Sequence, residues 1–275
     1  MSNRHEVTSW LSRFAAMSLI LAAAAGSARL ARADTVVDAA FGDSTFGTID
    51  LTTGAVTPLG KSGVTLAGLA LQSSTLYAAG FLGGVDSLYS VNPANGALSA
   101  IGSTGVSIND FGATSSGLYA LDGNGNLYSV SATTGAATLV GSTGLNINQY
   151  WDSLSTNSST LYFNNGATLY TLNTTTGKAT AIGTDAGGAQ MGALLFLNGV
   201  LYGGQNPLPG AAVTTGSVDT LNTATGAATI VPGSKPVAGS FFGLAPIPVP
   251  LPAAAWLMIS ALGALGTLAR RREAP

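Results

Sequence analysis

Histidine, cysteine, arginine and glutamate are almost missing from the middle of this 275-residue chain. The one His is His5, the Glu residues are Glu6 and Glu273, the Arg residues fall at 4, 13, 29, 32 and 270–272, and there is no Cys. Residues 34–245 therefore offer no imidazole, thiol, guanidinium or glutamate, which excludes Ser-His-Asp and Cys-His catalysis, thiol redox chemistry and zinc or copper sites built on His or Cys. Without disulfides, an exported form must be held by its sheets alone. Charge is scarce as well: 8% of residues are charged, against about 25% in an average soluble domain, which argues against a coiled coil or a charged disordered tail. A net charge of -2 argues against nucleic-acid binding, which needs clustered Lys and Arg to displace counterions.

Long apolar runs occur only at the ends. Arg4 and Arg13 precede an apolar run from Phe14 to Gly26, and Ala31-Arg32-Ala33 supplies the small-x-small pattern cut by signal peptidase. Residues 1–33 are expected to be a signal helix, with cleavage at Ala31 and Ala33 and a mature start at Asp34; a retained anchor is the alternative. At the other end Pro246, Pro248, Pro250 and Pro252 lead into an uncharged stretch from Ala253 to Ala269 and then Arg270-Arg271-Arg272. As a helix that stretch is about 26 Å long at about 1.5 Å per residue, enough for a marginal transmembrane span. Its Arg triplet would stay in the cytoplasm.

The order of proline motif, apolar helix and terminal Arg cluster resembles the PEP-CTERM sorting tail of exosortase substrates. The form it is similar to is the variant Val249-Pro250-Leu251-Pro252-Ala253, followed by Trp256, with Leu251 where the usual motif has Glu. The resemblance covers the last 27 residues. It implies a Gram-negative bacterium, an inner-membrane intermediate, processing near the motif by an exosortase, and delivery to the cell surface or exopolysaccharide matrix. A plain C-terminal anchor is the other reading of residues 246–275.

Between the ends a motif recurs. Gly54, Gly96, Gly135, Gly177 and Gly226 are spaced by 42, 39, 42 and 49 residues, and each closes a five-residue segment opened by Asp50, Asn92, Ser131, Asn173 or Asn222. Asp, Asn and Ser start turns by bonding nearby backbone, and Gly accepts the positive φ that ends them, so these are hairpin loops. Hydroxyls (Thr48, Ser90, Ser129, Thr171, Thr220) alternate with aliphatics (Ile49, Val91, Val130, Leu172, Leu221) before the loops. After the loops come Thr57, Ser99, Thr138, Thr180 and Thr229, with Leu59, Ile101, Val140, Ile182 and Val231. This period of two predicts half-buried strands.

Each repeat adds an upstream strand, at Val36-Val37, Leu76-Tyr77, Leu118-Tyr119, Leu161-Tyr162 or Leu201-Tyr202. Before it lies a segment with a small central residue: Ala67-Gly68-Leu69, Phe111-Gly112-Ala113, Asp152-Ser153-Leu154, Met191-Gly192-Ala193 or Phe242-Gly243-Leu244. Four strands per repeat of about 40 residues predict an all-β fold, a β-propeller of four-stranded blades. The small residue suits an inner strand crowded around the axis. The first repeat lacks an inner strand and the C-terminal segment supplies one, so residues 34–245 are expected to close into five blades. A stacked β-solenoid, with a shorter usual period, is the competing architecture.

Ten Asp and three Lys remain in residues 34–245. Loops opposite the Gly-anchored hairpins vary, and a mouth is expected there, just before the inner strands, at Asp110, Tyr150, Trp151, Asp152, Gln190 and Phe241. Aromatic faces beside carboxylates and amides suit sugar rings; alternatively Trp151 and Phe241 pack between blades and the Asp residues cap turns. Asp122-Gly123-Asn124-Gly125-Asn126 begins like a calcium loop but has Leu127 at position six and no Glu at position twelve, so a tight turn explains it equally. The expected protein is a non-catalytic, exported surface or matrix component without cofactor or metal. Its expected partners are signal peptidase, an exosortase and exopolysaccharide. A carbohydrate-active enzyme using paired Asp residues and a purely structural surface protein are the alternatives.

Overall fold

The computed structural model describes residues 35–82, 85–147, 152–207 and 215–248, and their regular elements are all strands. The expected signal segment, with Ala31 and Ala33, lies outside the described residues. So does the sorting tail from Val249 onward, with Pro250, Leu251, Pro252 and Arg270 to Arg272. The first strands are β1 (Val36–Phe41), β2 (Thr45–Asp50) and β3 (Val56–Lys61), followed by β4 (Thr65–Gln72), β5 (Thr75–Leu82), β6 (Val85–Val91) and β7 (Leu98–Ser103). Next come β8 (Asp110–Thr114), β9 (Gly117–Leu121), β10 (Asn126–Val130) and β11 (Ala137–Ser142), then β12 (Asp152–Thr156), β13 (Leu161–Asn165), β14 (Thr168–Leu172) and β15 (Ala179–Thr184). The chain continues through β16 (Met191–Leu197), β17 (Val200–Gln205), β18 (Thr215–Leu221), β19 (Ala228–Ile230), β20 (Val237–Ala238) and β21 (Phe241–Pro246).

Strands adjacent in sequence pair antiparallel within each group, giving the repeated orders β4-β5-β6-β7, β8-β9-β10-β11, β12-β13-β14-β15 and β16-β17-β18-β19. The group without an inner strand of its own takes the last strand of the fold: β21 pairs with β1, Leu244 opposite Ala39, to give β21-β1-β2-β3. The leading strands β4, β8, β12, β16 and β21 lie next to one another in cyclic order. At β12 and β16 they come close enough to pair in parallel, with Ser155 opposite Leu194, which joins two sheets into one. This repeated four-strand meander fits the expected β-propeller.

The Gly-anchored hairpins form as their sequences dictate. In all five the Gly N–H donates to the carbonyl four residues back, at Asp50, Asn92, Ser131, Asn173 and Asn222, each at 2.8 Å. The opening side chain holds the turn from outside: Asp50 Oδ1 accepts from the Thr52 amide at 2.8 Å and Asn222 Oδ1 from the Ala224 amide at 2.8 Å. The closing glycines have φ between 67° and 79°.

The outer strands depart from the expected alternation. Register shifts opposite Phe46/Gly47, Leu88/Tyr89, Leu127/Tyr128 and Leu169/Tyr170 make Leu59, Ile101, Val140 and Ile182 the extra residues of β-bulges. The bulge turns Ile101, Val140 and Ile182 toward the apolar layer shared with the next sheet. Each bulged aliphatic is followed by Gly60, Gly102, Gly141 or Gly183. A Cβ there would collide with a carbonyl in the hairpin of the following sheet, at Asn95, Thr134, Thr176 and Thr225 respectively. The last group reaches the first by a hydrogen bond from the Lys235 amide to the Thr53 carbonyl at 2.9 Å.

The small central residues of the leading strands are crowded too, chiefly by backbone of the neighbouring leading strand, with the Asn206 side chain also against Gly192. Gly68 faces the Phe111 carbonyl, Gly112 the Ser155 carbonyl, Gly192 the Phe241 carbonyl and Gly243 the Leu69 amide. Between successive sheets lie five apolar layers among the described residues. One holds Phe46, Leu69 and Leu76; the one joining the last sheet to the first holds Ile49, Leu195, Val218 and Phe241.

Gly102→Ala is expected to destabilise the fold by about 1–3 kcal/mol, since the added methyl meets backbone rather than a movable side chain. Gly117, which has only ordinary contacts at 3.9 Å or more, should accept Ala almost neutrally. Chemical denaturation of the two variants checks the difference; equal midpoints would refute the rim contact.

Candidate functional site

Asp110 opens β8 and Asp152 opens β12, on adjacent leading strands of the third and fourth sheets. Asp110 is 4% exposed. Its Oδ1 accepts from the Phe111 amide at 2.7 Å, while its Oδ2 has no hydrogen-bond partner among the described residues. Asp152 receives the Nδ2 of Asn109 on Oδ2 at 2.7 Å, so the Asn109-Asp110 pair of one sheet meets the carboxylate of the next. Burial and the neighbouring Asp152 charge push Asp110 well above the ordinary carboxylate range, against the opposing pull of the Phe111 and Leu154 amides. Burial likewise pushes Asp152 up to about 7, despite the Asn109 hydrogen bond.

Gln190 precedes β16, the leading strand on the other side of β12. Its carbonyl accepts from the Asn206 amide at 3.0 Å, and its occluded Oε1 lacks a partner among the described residues. Phe241 was expected beside these groups as an aromatic face. Its ring is instead buried at 1% exposure against Phe41, centroids 5.5 Å apart, in the layer between the last and first sheets. Asn206 fixes its backbone by accepting from the Phe241 amide at 2.6 Å and donating to the Phe241 carbonyl at 3.1 Å. Tyr150 and Trp151 lie outside the described residues.

The Asp122 loop is a turn. Its carboxylate accepts from the amides of Asn124 and Asn126, from Asn126 Nδ2 and from the Tyr128 hydroxyl, at 2.8–3.0 Å. Burial raises its pKa, but these donors outweigh burial and hold it below the usual value. Its acceptor capacity is spent on its own loop.

Two participants escaped sequence reasoning. Asn109 was legible only as the neighbour of Asp110, because its role depends on a residue 43 positions away. Asp38 interrupts the apolar run Val36-Val37-Asp38-Ala39-Ala40-Phe41, and that interruption was a usable signal. In β1, opposite Thr48 and Ala245, it is 1% exposed, its Oδ2 has no partner among the described residues, and burial pushes its pKa up to about 7.

The basic side chains lie elsewhere. Lys61, Lys178 and Lys235 are exposed at the end of β3 and in turns, and Lys61 pairs with exposed Asp43 at 3.0 Å. No group of three or more His, Cys, Asp or Glu residues is placed to hold a metal among the described residues.

No family model matches the chain, and no curated protein matches it. Among solved structures, it is similar to a structural genomics protein of unknown function from Bacteroides thetaiotaomicron, with 16% identity and a TM-score of 0.56. The match covers 78% of this chain and 62% of that one, so the chain spans less than two thirds of that protein's length. At this identity the likeness concerns the fold alone. A structure of a nidogen/laminin complex matches at 12% identity with a TM-score of 0.48, over 76% of this chain and 97% of that chain.

Asp38 sets a pH dependence with a definite sign. Its folded-state pKa lies above the unfolded value, so the folded protein keeps a proton that the unfolded chain releases from about pH 4 upward. That contribution is complete below about pH 4 and is lost as pH rises through 7. Thermal midpoints should be higher at pH 5 than at pH 8, and Asp38→Asn should narrow the gap by several degrees; an unchanged gap would refute the assignment.

Proposed function

We propose that the chain is an exported, non-catalytic five-bladed β-propeller whose axial mouth binds exopolysaccharide at the cell surface or in the extracellular matrix of a Gram-negative bacterium. The observation that carries the binding reading is the set of orphaned acceptors at the start of the leading strands. Asp110 Oδ2 and Gln190 Oε1 have no donors among the described residues, and Asp152 stands beside them. Buried acceptors without donors are costly; these two oxygens are themselves occluded, and it is the half-buried Asp152 and Gln190 residues that leave polar groups within reach of a ligand rich in hydroxyl groups. Five blades are supported by the cyclic neighbourhood of five leading strands and by the Lys235–Thr53 hydrogen bond between the last and first groups.

The address rests on the sequence: a signal helix over 1–33, removed by signal peptidase, and a sorting tail over 246–275 whose transmembrane helix holds an inner-membrane intermediate until an exosortase acts. A second reading is favoured by one feature, the neighbouring carboxyls of Asp110 and Asp152, both pushed by burial above the ordinary carboxylate range, since a pair of carboxyls of which one is held protonated is what glycoside hydrolysis uses.

Purified full-length protein screened against exopolysaccharide and a glycan panel should bind at least one member, and Asp152→Asn should weaken that binding about tenfold. No binding across the panel would sink the proposal, and release of cleaved product that is lost in Asp152→Asn would replace it with the hydrolase reading. In cells, deletion of residues 246–275 should abolish surface delivery while export across the inner membrane continues; unchanged location would refute the tail's role.

A further inference from the structure

The turns that end the leading strands carry a pattern of their own. Three consecutive repeats pass from the leading strand to the next through a serine pair, Ser73-Ser74, Ser115-Ser116 and Ser158-Ser159, each followed by one residue and then Leu-Tyr. The turn does not demand serine. In the fifth sheet β16 and β17 are joined by Asn198-Gly199, with φ of 51° and 83°, the pair that a tight hairpin favours. Ser73 instead takes a φ of 56°, where Gly would be unstrained.

The three serine turns border a cavity of about 380 Å³. It lies at the far end of the leading strands from Asp110 and Asp152, about 13 Å away along β8 at about 3.3 Å per residue, so it is separate from the mouth proposed above. Its frame is fixed. The Ser115 amide donates to the Ser158 carbonyl at 3.0 Å, and Asn157 Nδ2 donates to the Phe196 carbonyl of β16 at 3.0 Å. The Thr114 and Ser158 hydroxyls are engaged within their own turns, with the Ser116 hydroxyl at 2.8 Å and the Thr160 amide at 3.1 Å. The side chains of Gln72, Ser73, Ser115 and Ser159 make no hydrogen bond among the described residues, and the three serines are exposed.

Among the described residues no charged or aromatic side chain lines the cavity. An ionic ligand would lose hydration there without gaining a counter-charge. Hydroxyls and a carboxamide both donate and accept, and so match a ligand that does the same at every position. Leu71 adds an apolar wall. We propose that this cavity is a second binding site, for one neutral hexose unit, at the opposite end of the leading strands from the mouth. It goes beyond the mouth reading and does not depend on it. Its volume falls at the lower end of the range for small-ligand pockets, about 300–1,000 Å³. Without an aromatic platform, its dissociation constant for a single sugar is about 1–10 mM.

The test titrates purified full-length protein with methyl glucoside, galactoside and mannoside and with methyl glucuronide, followed by saturation-transfer NMR. At least one neutral glycoside should bind, and the glucuronide should bind about fivefold more weakly or worse. The double variant Ser73→Gly with Ser115→Ala removes two hydroxyls that no other described group uses. Its thermal midpoint should be no lower than the parent's, and its affinity for the sugar about tenfold weaker. Should the pair fail to fold, Ser115→Ala alone decides. Asp152→Asn should leave the affinity unchanged. No neutral glycoside bound, equal affinity for the glucuronide, or full affinity in the serine variant overturns the proposal. Binding lost in Asp152→Asn and kept in the serine variant assigns the sugar to the mouth and also overturns it, whereas the opposite result leaves this site standing even where the mouth binds nothing. A neutral oligosaccharide held about tenfold more tightly than the single sugar identifies a polymer as the occupant, and equal affinity identifies a free sugar.

Discussion

The fold depends on places where one sheet's backbone touches the next with no side chain between. At the rim, Gly60, Gly102, Gly141 and Gly183 let an outer strand lie against the hairpin of the following sheet; inside, Gly68, Gly112, Gly192 and Gly243 do the same for leading strands. Fixed at both edges, successive sheets are held at a spacing that the apolar layers must fill. Phe46, Phe111, Phe163 and Phe241, all nearly or fully inaccessible, take much of that volume. The scarcity of charge follows. The inner strands of each sheet are largely buried, so most polar residues go to the exposed outer strands and the turns, where Ser, Thr and Asn provide hydrogen bonds without the desolvation penalty of buried ions.

Polar side chains that do go inside tie loops to neighbouring strands. Asn206 grips the Phe241 backbone, Asn164 accepts from the Met191 amide at 3.1 Å, and Asp86 accepts from the Ile108 amide at 3.1 Å. Thr104 and Thr143 hydroxyls donate to carbonyls 18 residues back, at Asp86 and Gly125, and Asp185 instead accepts two amides, from Ala189 and Ala228. These groups have partners because they are structural. Against them stand out the oxygens of Asp38, Asp110, Ser153 and Gln190 that have no partner among the described residues.

The strands and hairpins were legible because each is specified locally: Asx or Ser, then four residues to Gly, between runs of period two. The pairing of β21 with β1 was legible because a repeat missing one strand and a strand missing its repeat imply each other. The bulges were not. Thr57-Pro58-Leu59-Gly60 and Thr138-Leu139-Val140-Gly141 read as continuous strand, since the reason for an extra residue lies in the following sheet's hairpin, roughly 40 residues away in sequence. Phe241 has the same lesson in reverse. Its place before a leading strand put it with Asp110 in the repeat, but an aromatic ring has enough apolar area to go to the core, and it packed on Phe41.

Departure from repeat symmetry also locates the site. If the repeats served only to stack, the residues at the start of the leading strands would be interchangeable. Counted from the small central residue they read Leu66, Asp110, Trp151, Gln190 and Phe241 two positions before it and Ala67, Phe111, Asp152, Met191 and Phe242 one position before it, so polar residues enter at Asp110, Asp152 and Gln190. The polar ones belong to the third, fourth and fifth sheets, which are neighbours, and the same arc holds Ser153 where the other leading strands have Gly and carries the parallel pairing of β12 with β16. A hydroxyl and an amide oxygen without partners among the described residues, and two neighbouring carboxyls, all weaken this arc relative to the apolar arc through Leu66 and Phe241. With Asp38 of the first sheet as the exception, the local rules are broken together in this one arc, and such a concentration is where a functional surface is sought first, which is why the proposed function is placed there.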